Sequence, residues 1–417
     1  MEGNNNFTFP ARTKTITFVL MGIGIIALIW GFFFSGGGHV EGHSDNTRIW
    51  SNILISGFFF TAVGLGALFF YALQYAAEVG WSAQVKRIFE GMFAFLPIGL
   101  GVLVVVLLAG QFHVHHIWHW MDADVYNPES PAYDEIIAGK GGYFAPTFFW
   151  VRTIAYIATF IVFARLFRKW SLLEDQVGGV ELHKKMFRRG ALFLVFFAVF
   201  SSTLAWDWLM SIDTHWFSTL YGWQVFSGMW VECMIFATLT ALYLKKRGYL
   251  QHVNDSHIHD MGKWVFAISM LWSYLWFSQF MLIWYSNIPE EVQYFVTRFW
   301  EPNGDPSPFR NTYLTMFFIN FALPFYALIA RDAKRNPTYL WIVGVIIFLF
   351  HFIDVYLLVM PGTIGQHGWE HGFEMWEFGI FLGFLGLFIH VTLRALTKAS
   401  LIPKNHPFLQ ESEHHSI

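Results

Sequence analysis

Ten long apolar stretches separated by short polar connections dominate the chain, at 15–34, 53–75, 92–112, 143–167, 190–212, 219–244, 263–286, 312–331, 339–360 and 373–393. Each is close to the roughly 20 residues that span hydrocarbon as a helix. Lipid offers no partner for backbone N–H and C=O groups, so each stretch is predicted to be helical rather than an open strand. The pattern predicts an all-α, polytopic fold with ten transmembrane helices, forming one integral membrane domain over residues 1–417. The first stretch follows Arg12 and Lys14 and runs into Ser35-Gly36-Gly37-Gly38 without a small-x-small cleavage site, so it reads as a retained helix.

Composition agrees: 55% apolar and 13% charged residues, with a mean hydropathy of +0.44, cannot cover a soluble surface. Of 26 lysines and arginines, only Arg48, Lys140, Arg298 and Arg310 fall in the odd-numbered connections, and Arg152 lies within a span. The remainder flank the even-numbered connections and the termini, so the positive-inside rule predicts both termini of the multi-pass chain to be cytoplasmic. The odd-numbered connections carry thirteen acids, a surface suited to a basic soluble partner or subunit or simply to solvent. No feature points to nucleic acid. The basic connection 168–189 is expected to meet anionic lipid or merely to set topology.

Cys233 is the sole cysteine, so the chain can build no disulfide, iron–sulfur site or covalent haem attachment. Four histidines, His113, His115, His116 and His119, cluster beside Trp118 and Trp120 at a membrane edge. With no matching run elsewhere they predict a quinone entrance or an aromatic belt rather than a metal or haem site.

The buried charges are expected to lie almost all toward the acidic face. At about 1.5 Å per residue, Asp207 falls about 8 Å below its span's outer end, Asp354 about 9 Å, and Arg152 and His351 about 14 Å, which places them in one layer. His351 and Asp354 share a helix face, as do His371, Glu374 and Glu377. Arg152 is the expected counter-ion of one aspartate. His116, Arg152, Asp207, His351, Asp354, Glu374 and Glu377 are therefore candidates for binding a quinol headgroup or taking its protons, against a buried brace for the Asp/Arg groups and a helix-dipole role for Glu374 and Glu377. Glu232, about 20 Å deep, and His390, near the inner end of the last span, are candidates for extending a proton path, although His390 also fits an interfacial, snorkelling role. The expectation is that these groups converge in one pocket.

Ala109-Gly-Gln-Phe112 and Phe277-Ser-Gln-Phe280 hint at an internal duplication relating the third to sixth helices to the seventh to tenth. Four further segments carry a family resemblance: His113-Val-His-His-Ile-Trp-His-Trp120, Tyr143-Phe-Ala-Pro-Thr-Phe-Phe-Trp-Val-Arg152, Trp206-Asp-Trp208 and Ile402-Pro-Lys-Asn-His-Pro-Phe-Leu-Gln-Glu-Ser412. Together they resemble the ActF-type membrane subunits of bacterial alternative complex III, in the NrfD/polysulfide-reductase family, over essentially the full length. The resemblance implies two four-helix bundles, helices two to five and six to nine, flanked by helices one and ten. It also implies a respiratory quinol:acceptor oxidoreductase that oxidises menaquinol. Its iron–sulfur clusters and haem c reside in partners: an iron–sulfur subunit, multihaem and monohaem cytochrome c subunits, and a related, larger NrfD-like membrane subunit that is the better candidate for quinol oxidation. A terminal oxidase is a further implied partner.

Two other readings fit the residues. A stand-alone proton-coupled secondary transporter also uses midplane carboxylates, and Pro97 and Pro324 interrupt two spans. A purely structural membrane anchor for redox subunits would tolerate loss of every buried acid.

Overall fold

The computed structural model describes residues 6–34, 46–365 and 372–416; His371 lies outside them. The described residues are helical apart from connections and two isolated bridges, Asn6–Ser400 and Trp300–Pro306. Among the described residues, nine helices, or pairs of consecutive helices, are long and apolar enough to cross a membrane. They comprise α1 (Ala11–Phe33), α2 (Thr47–Ala76), α3 with α4 (Lys86–Phe93, Leu96–Gln111), α5 (Pro146–Val177), α6 (Val180–Trp208), α7 (Thr219–Lys246), α8 (Asp255–Ser286), α11 (Pro337–Ile364) and α12 (Met375–Leu396). Between them lie α9 (Pro289–Phe299) and α10 (Arg310–Leu328). The eighth expected span is α10, a 19-residue helix diluted by Asn311, Thr312, Thr315, Asn320 and Pro324, and it is not among the nine.

Local chemistry sets the boundaries. Pro97 has no N–H and its ring crowds the carbonyl four residues back, so the third segment tightens at Ala94–Phe95 and splits into α3 and α4. Asn336 caps α11 by accepting from the Thr338 and Tyr339 amides, with Pro337 in the first turn. Asn254 and His257 form a capping box at α8. Gly178 (φ 65°) and Gly179 (φ 84°) take left-handed conformations that reverse the chain between α5 and α6 in two residues.

The helices pack as two groups of four. Helices α2, α3/α4, α5 and α6 form one, and α7, α8, α10 and α11 the other. α2 packs against both groups through α6, α7 and α11, and 89% of its most apolar window is buried, compared with 22% for α1. α1 and α12 pair along one side. Their contact is set by small residues: a Cβ on Gly24 would lie 2.5 Å from the Gly383 Cα, so only glycines permit this approach.

Candidate functional site

The predicted residues do not share one pocket: most fall into three separate places, and His116 and His390 lie apart from all three. In the first group of helices, Asp207 is fully buried and accepts four hydrogen bonds. Tyr143 Oη (2.7 Å) and Arg152 Nη2 (2.9 Å) donate to Oδ1, and Tyr156 Oη (2.8 Å) and Arg152 Nε (2.9 Å) to Oδ2. The Arg152 guanidinium is also sandwiched between the rings of Tyr143 (4.0 Å) and Phe148 (4.3 Å). A carboxylate held by a bidentate arginine and two phenols has no acceptor site left for a ligand. Burial and the Asp207 charge push the Tyr143 phenol well above its ordinary range.

Glu374 and Glu377 form the second place, at the start of α12. Arg48 pairs with Glu374 (3.1 Å) and Glu377 (2.9 Å), and Asn52 (2.8 Å) and Tyr356 (3.1 Å) donate to Glu377. The two glutamates also make a capping box. The cluster joins the start of α2, α11 and α12, which is the helix-dipole reading made specific.

The third place is inside the second group. Trp272 Nε1 donates to Asp354 Oδ2 at 3.0 Å, and the Trp272 ring meets His351 edge-on at 5.1 Å. His351, with no exposed surface, has neither ring nitrogen bonded to protein, and Glu232 Oε2 likewise has no protein partner. Asn320, Gln279 and Ser269 in the same group of helices add buried polar atoms without one. Asp354 lies within electrostatic reach of Glu232, Tyr221 and Tyr294. Buried polar atoms left in this state are costly, and native interiors retain them where internal water or function demands it.

α6 ends at Trp208, so Asp207 sits in its last turn, and the span continues through Ile212. α11 runs to Ile364, and its Gly362, eight residues beyond Asp354, packs against Ile212 and Asp213. No hydrogen bond or ion pair joins the two aspartates' clusters among the described residues. His390 is also set apart: it bonds Thr17 Oγ1 (3.0 Å) and lies between the Phe9 and Phe18 rings, against α1.

Above Asp354, on the acidic face, opens a cavity of about 1380 Å³ between the 113–142 connection and α9. His116, in its wall, directs Nδ1 at Asp122 Oδ1 (3.2 Å), as His113 does (2.9 Å). His115 differs from its neighbours. Burial lowers it to about 4, and Nε2 reaches the Val106 carbonyl at 3.0 Å, so it is a neutral structural donor. Asp213 and Tyr294 also line the cavity; Arg298 bonds Asp213 Oδ2 (2.8 Å) and stacks 3.4 Å over the Tyr294 ring. No family model matches this chain, and no curated protein matches it.

Sequence reasoning also missed a buried ionic network on the basic face, contrary to the expectation that buried charge lies toward the other side. Lys86 holds Glu174 Oε2, and Glu90 takes Arg87 (2.7 Å), Arg168 and Ser171 Oγ (2.6 Å). Arg87 also pairs with Asp175. The network was hidden because 76–91 and 168–189 read as loops, whereas α3 begins at Lys86 and α5 and α6 extend to Val177 and from Val180. Lys86-Arg87-x-x-Glu90 at helical spacing was its one visible signal.

Two triads bring potential metal-ligand atoms within 4.8 Å: His113/His116/Asp122 and Glu174/His183/His406. In the first, both imidazoles already turn Nδ1 to the carboxylate. In the second, the Lys86 ammonium already neutralises Glu174, and His406 Nδ1 accepts the Phe408 amide. The second nevertheless leaves Glu174 Oε1 and both His183 ring nitrogens buried without a hydrogen-bond partner among the described residues.

Proposed function

We propose that this chain is the ActF-type membrane subunit of a quinol-oxidising respiratory assembly, and that its part is a proton path through the second group of helices. The observation that carries the proposal is the set of buried groups within one another's electrostatic reach below the acidic-face cavity: Tyr294 in its wall, Tyr221 near the start of α7, Asp354 beside His351 on α11, and Glu232 eleven residues further along α7. Ionisable side chains within apolar spans are functional by default, and carboxyl and imidazole groups exchange protons where water reaches them. Ten spans with both termini cytoplasmic, in a bacterial inner membrane, belong to the same proposal, with α10 as the tenth.

A menaquinone headgroup does not fit at Asp207, Arg152, Glu377 or His351. Asp207, Arg152 and Glu377 are saturated by protein donors and acceptors, and His351 is enclosed. In this reading quinol oxidation, the iron–sulfur clusters and haem c belong to partner subunits, and no step here passes through a quinone.

The test is Asp354→Asn in the intact assembly reconstituted into vesicles, with quinol oxidation and proton release followed together. The proposal expects proton release to fall by about a hundredfold or more, within the range ascribed to positioned acid–base groups. Unchanged rates of both would overturn the path. Purification in mild detergent tests the assembly: co-purifying haem absorbance supports it, whereas a haem-free, proton-coupled activity would favour the stand-alone transporter.

A further inference from the structure

The split between α3 and α4 leaves a groove of about 610 Å³ bounded by that split, by α5 and by the C-terminal end of α12. α5 contributes Ile161, Ala164, Arg165, Arg168, Lys169 and Leu172, which recur at three- and four-residue spacing and so lie on one helix face. Polarity changes along that face. Toward the bilayer centre the walls are Ile161 and Ala164, with Phe93, Ala94 and Pro97 opposite. Toward the basic face they are Arg165 and Lys169, with Lys398 across the groove. From Ile161 to Lys169 the axial distance is about 12 Å, which covers one leaflet's headgroup zone and the start of its acyl region.

The charges in the groove do not balance. Glu90, at its base, is already held by Arg87, Arg168 and Ser171, and Arg168 gives its remaining bond to the Ala395 carbonyl. Arg165, Lys169 and Lys398 form no ion pair with the described residues. Three unneutralised cations thus rim an apolar channel with exposed walls at Pro97 and Leu173.

We propose that this groove binds an anionic diacyl phospholipid from the leaflet at the basic face. Its phosphate sits among Arg165, Lys169 and Lys398, and an acyl chain lies along Pro97, Ala94, Ile161 and Ala164. A soluble phosphate would satisfy the cations but leave the apolar walls uncovered. A zwitterionic lipid would cover the walls but leave the net positive charge. The site is independent of the proton path.

The experiment is native mass spectrometry of the detergent-purified assembly titrated with cardiolipin, phosphatidylglycerol or phosphatidylcholine. Wild type is compared with R165Q/K169Q/K398Q and with a control, K184Q/K185Q/R188Q, in the cationic patch that lacks apolar walls. Each basic residue near an anionic headgroup contributes about fivefold, so the triple variant should weaken anionic-lipid retention by roughly a hundredfold. The control should change it little, and glycerol phosphate should not compete. Equal retention of phosphatidylcholine, equal loss in the control, or displacement by glycerol phosphate would overturn the proposal. Measuring quinol oxidation and haem content alongside keeps a failed lipid site distinct from a failed assembly.

Discussion

Trp272 holds Asp354 with its indole N–H while its ring meets His351 edge-on, so one side chain from α8 touches both His351 and Asp354 of α11. Replacing Trp272 with Phe removes the one protein donor to Asp354 but keeps an aromatic ring beside His351. A buried acceptor left without its partner costs about 1–3 kcal/mol. Trp272→Phe should therefore lower thermal stability by that order and slow proton release. If proton release is unaffected while Asp354→Asn abolishes it, Trp272 only supports the fold.

The Asp207–Arg152 cluster should respond in the opposite way. Removing one member of a buried ion pair strands the other, at about 3–5 kcal/mol. Arg152→Ala is expected to cause a large drop in thermal stability, with the loss smaller in Arg152→Gln/Asp207→Asn because neither charge is then left alone. Proton release per quinol oxidised in whatever assembles should remain normal. A changed ratio in the double variant would give the cluster a part in proton transfer.

Much of the helical framework was legible from hydropathy, because period and length suffice for spans such as α2 and α7. Arg152 as counter-ion to an aspartate was legible too, since so few charges lay in spans. The donors that complete its site were not: Tyr143 and Tyr156 look like ordinary interfacial and core aromatics until the fold brings them to Asp207. Trp272 carried no signal at all.

Acid should loosen the C-terminal segment. His406 packs against His183 and Tyr75, and burial, with Lys86, His183 and Arg87 nearby, lowers it to about 2. The undocked segment takes up a proton near the ordinary histidine value of about 6.5, whereas the docked one resists it until far lower pH. Docking stability is thus complete above about 6.5 and is lost progressively as pH falls, by up to tenfold in the docking equilibrium per pH unit. The protection against hydrogen exchange at residues 403–408, taken relative to the intrinsic base-catalysed rate at each pH, should be weaker at pH 5.5 than at 7.5, and His406→Phe should reduce the difference. A pH-independent protection in wild type would refute the account.

Gly24→Leu should force α1 away from α12, because its side chain would occupy the space now filled by Gly383. The expected result is faster proteolysis near the N-terminus, with the spectrum of any bound haem in the assembly unchanged. Gly22→Leu, where no atom lies within 4 Å of an added Cβ, is the matched control. Identical proteolysis of the two variants would mean that the glycine contact does not hold α1.

The burial of α2 also orders the birth of the protein. Thr47–Ala76 leaves the ribosome early, yet two of its lasting neighbours, Thr219–Lys246 and Pro337–Ile364, are translated far later. Until the last of these is inserted, the central pillar must wait among lipids or a chaperone, with Ser51, Asn52 and Ser56 still unsheltered by their final surroundings. Assembly of this chain is thus completed near its C-terminus, however soon its first helices enter the bilayer.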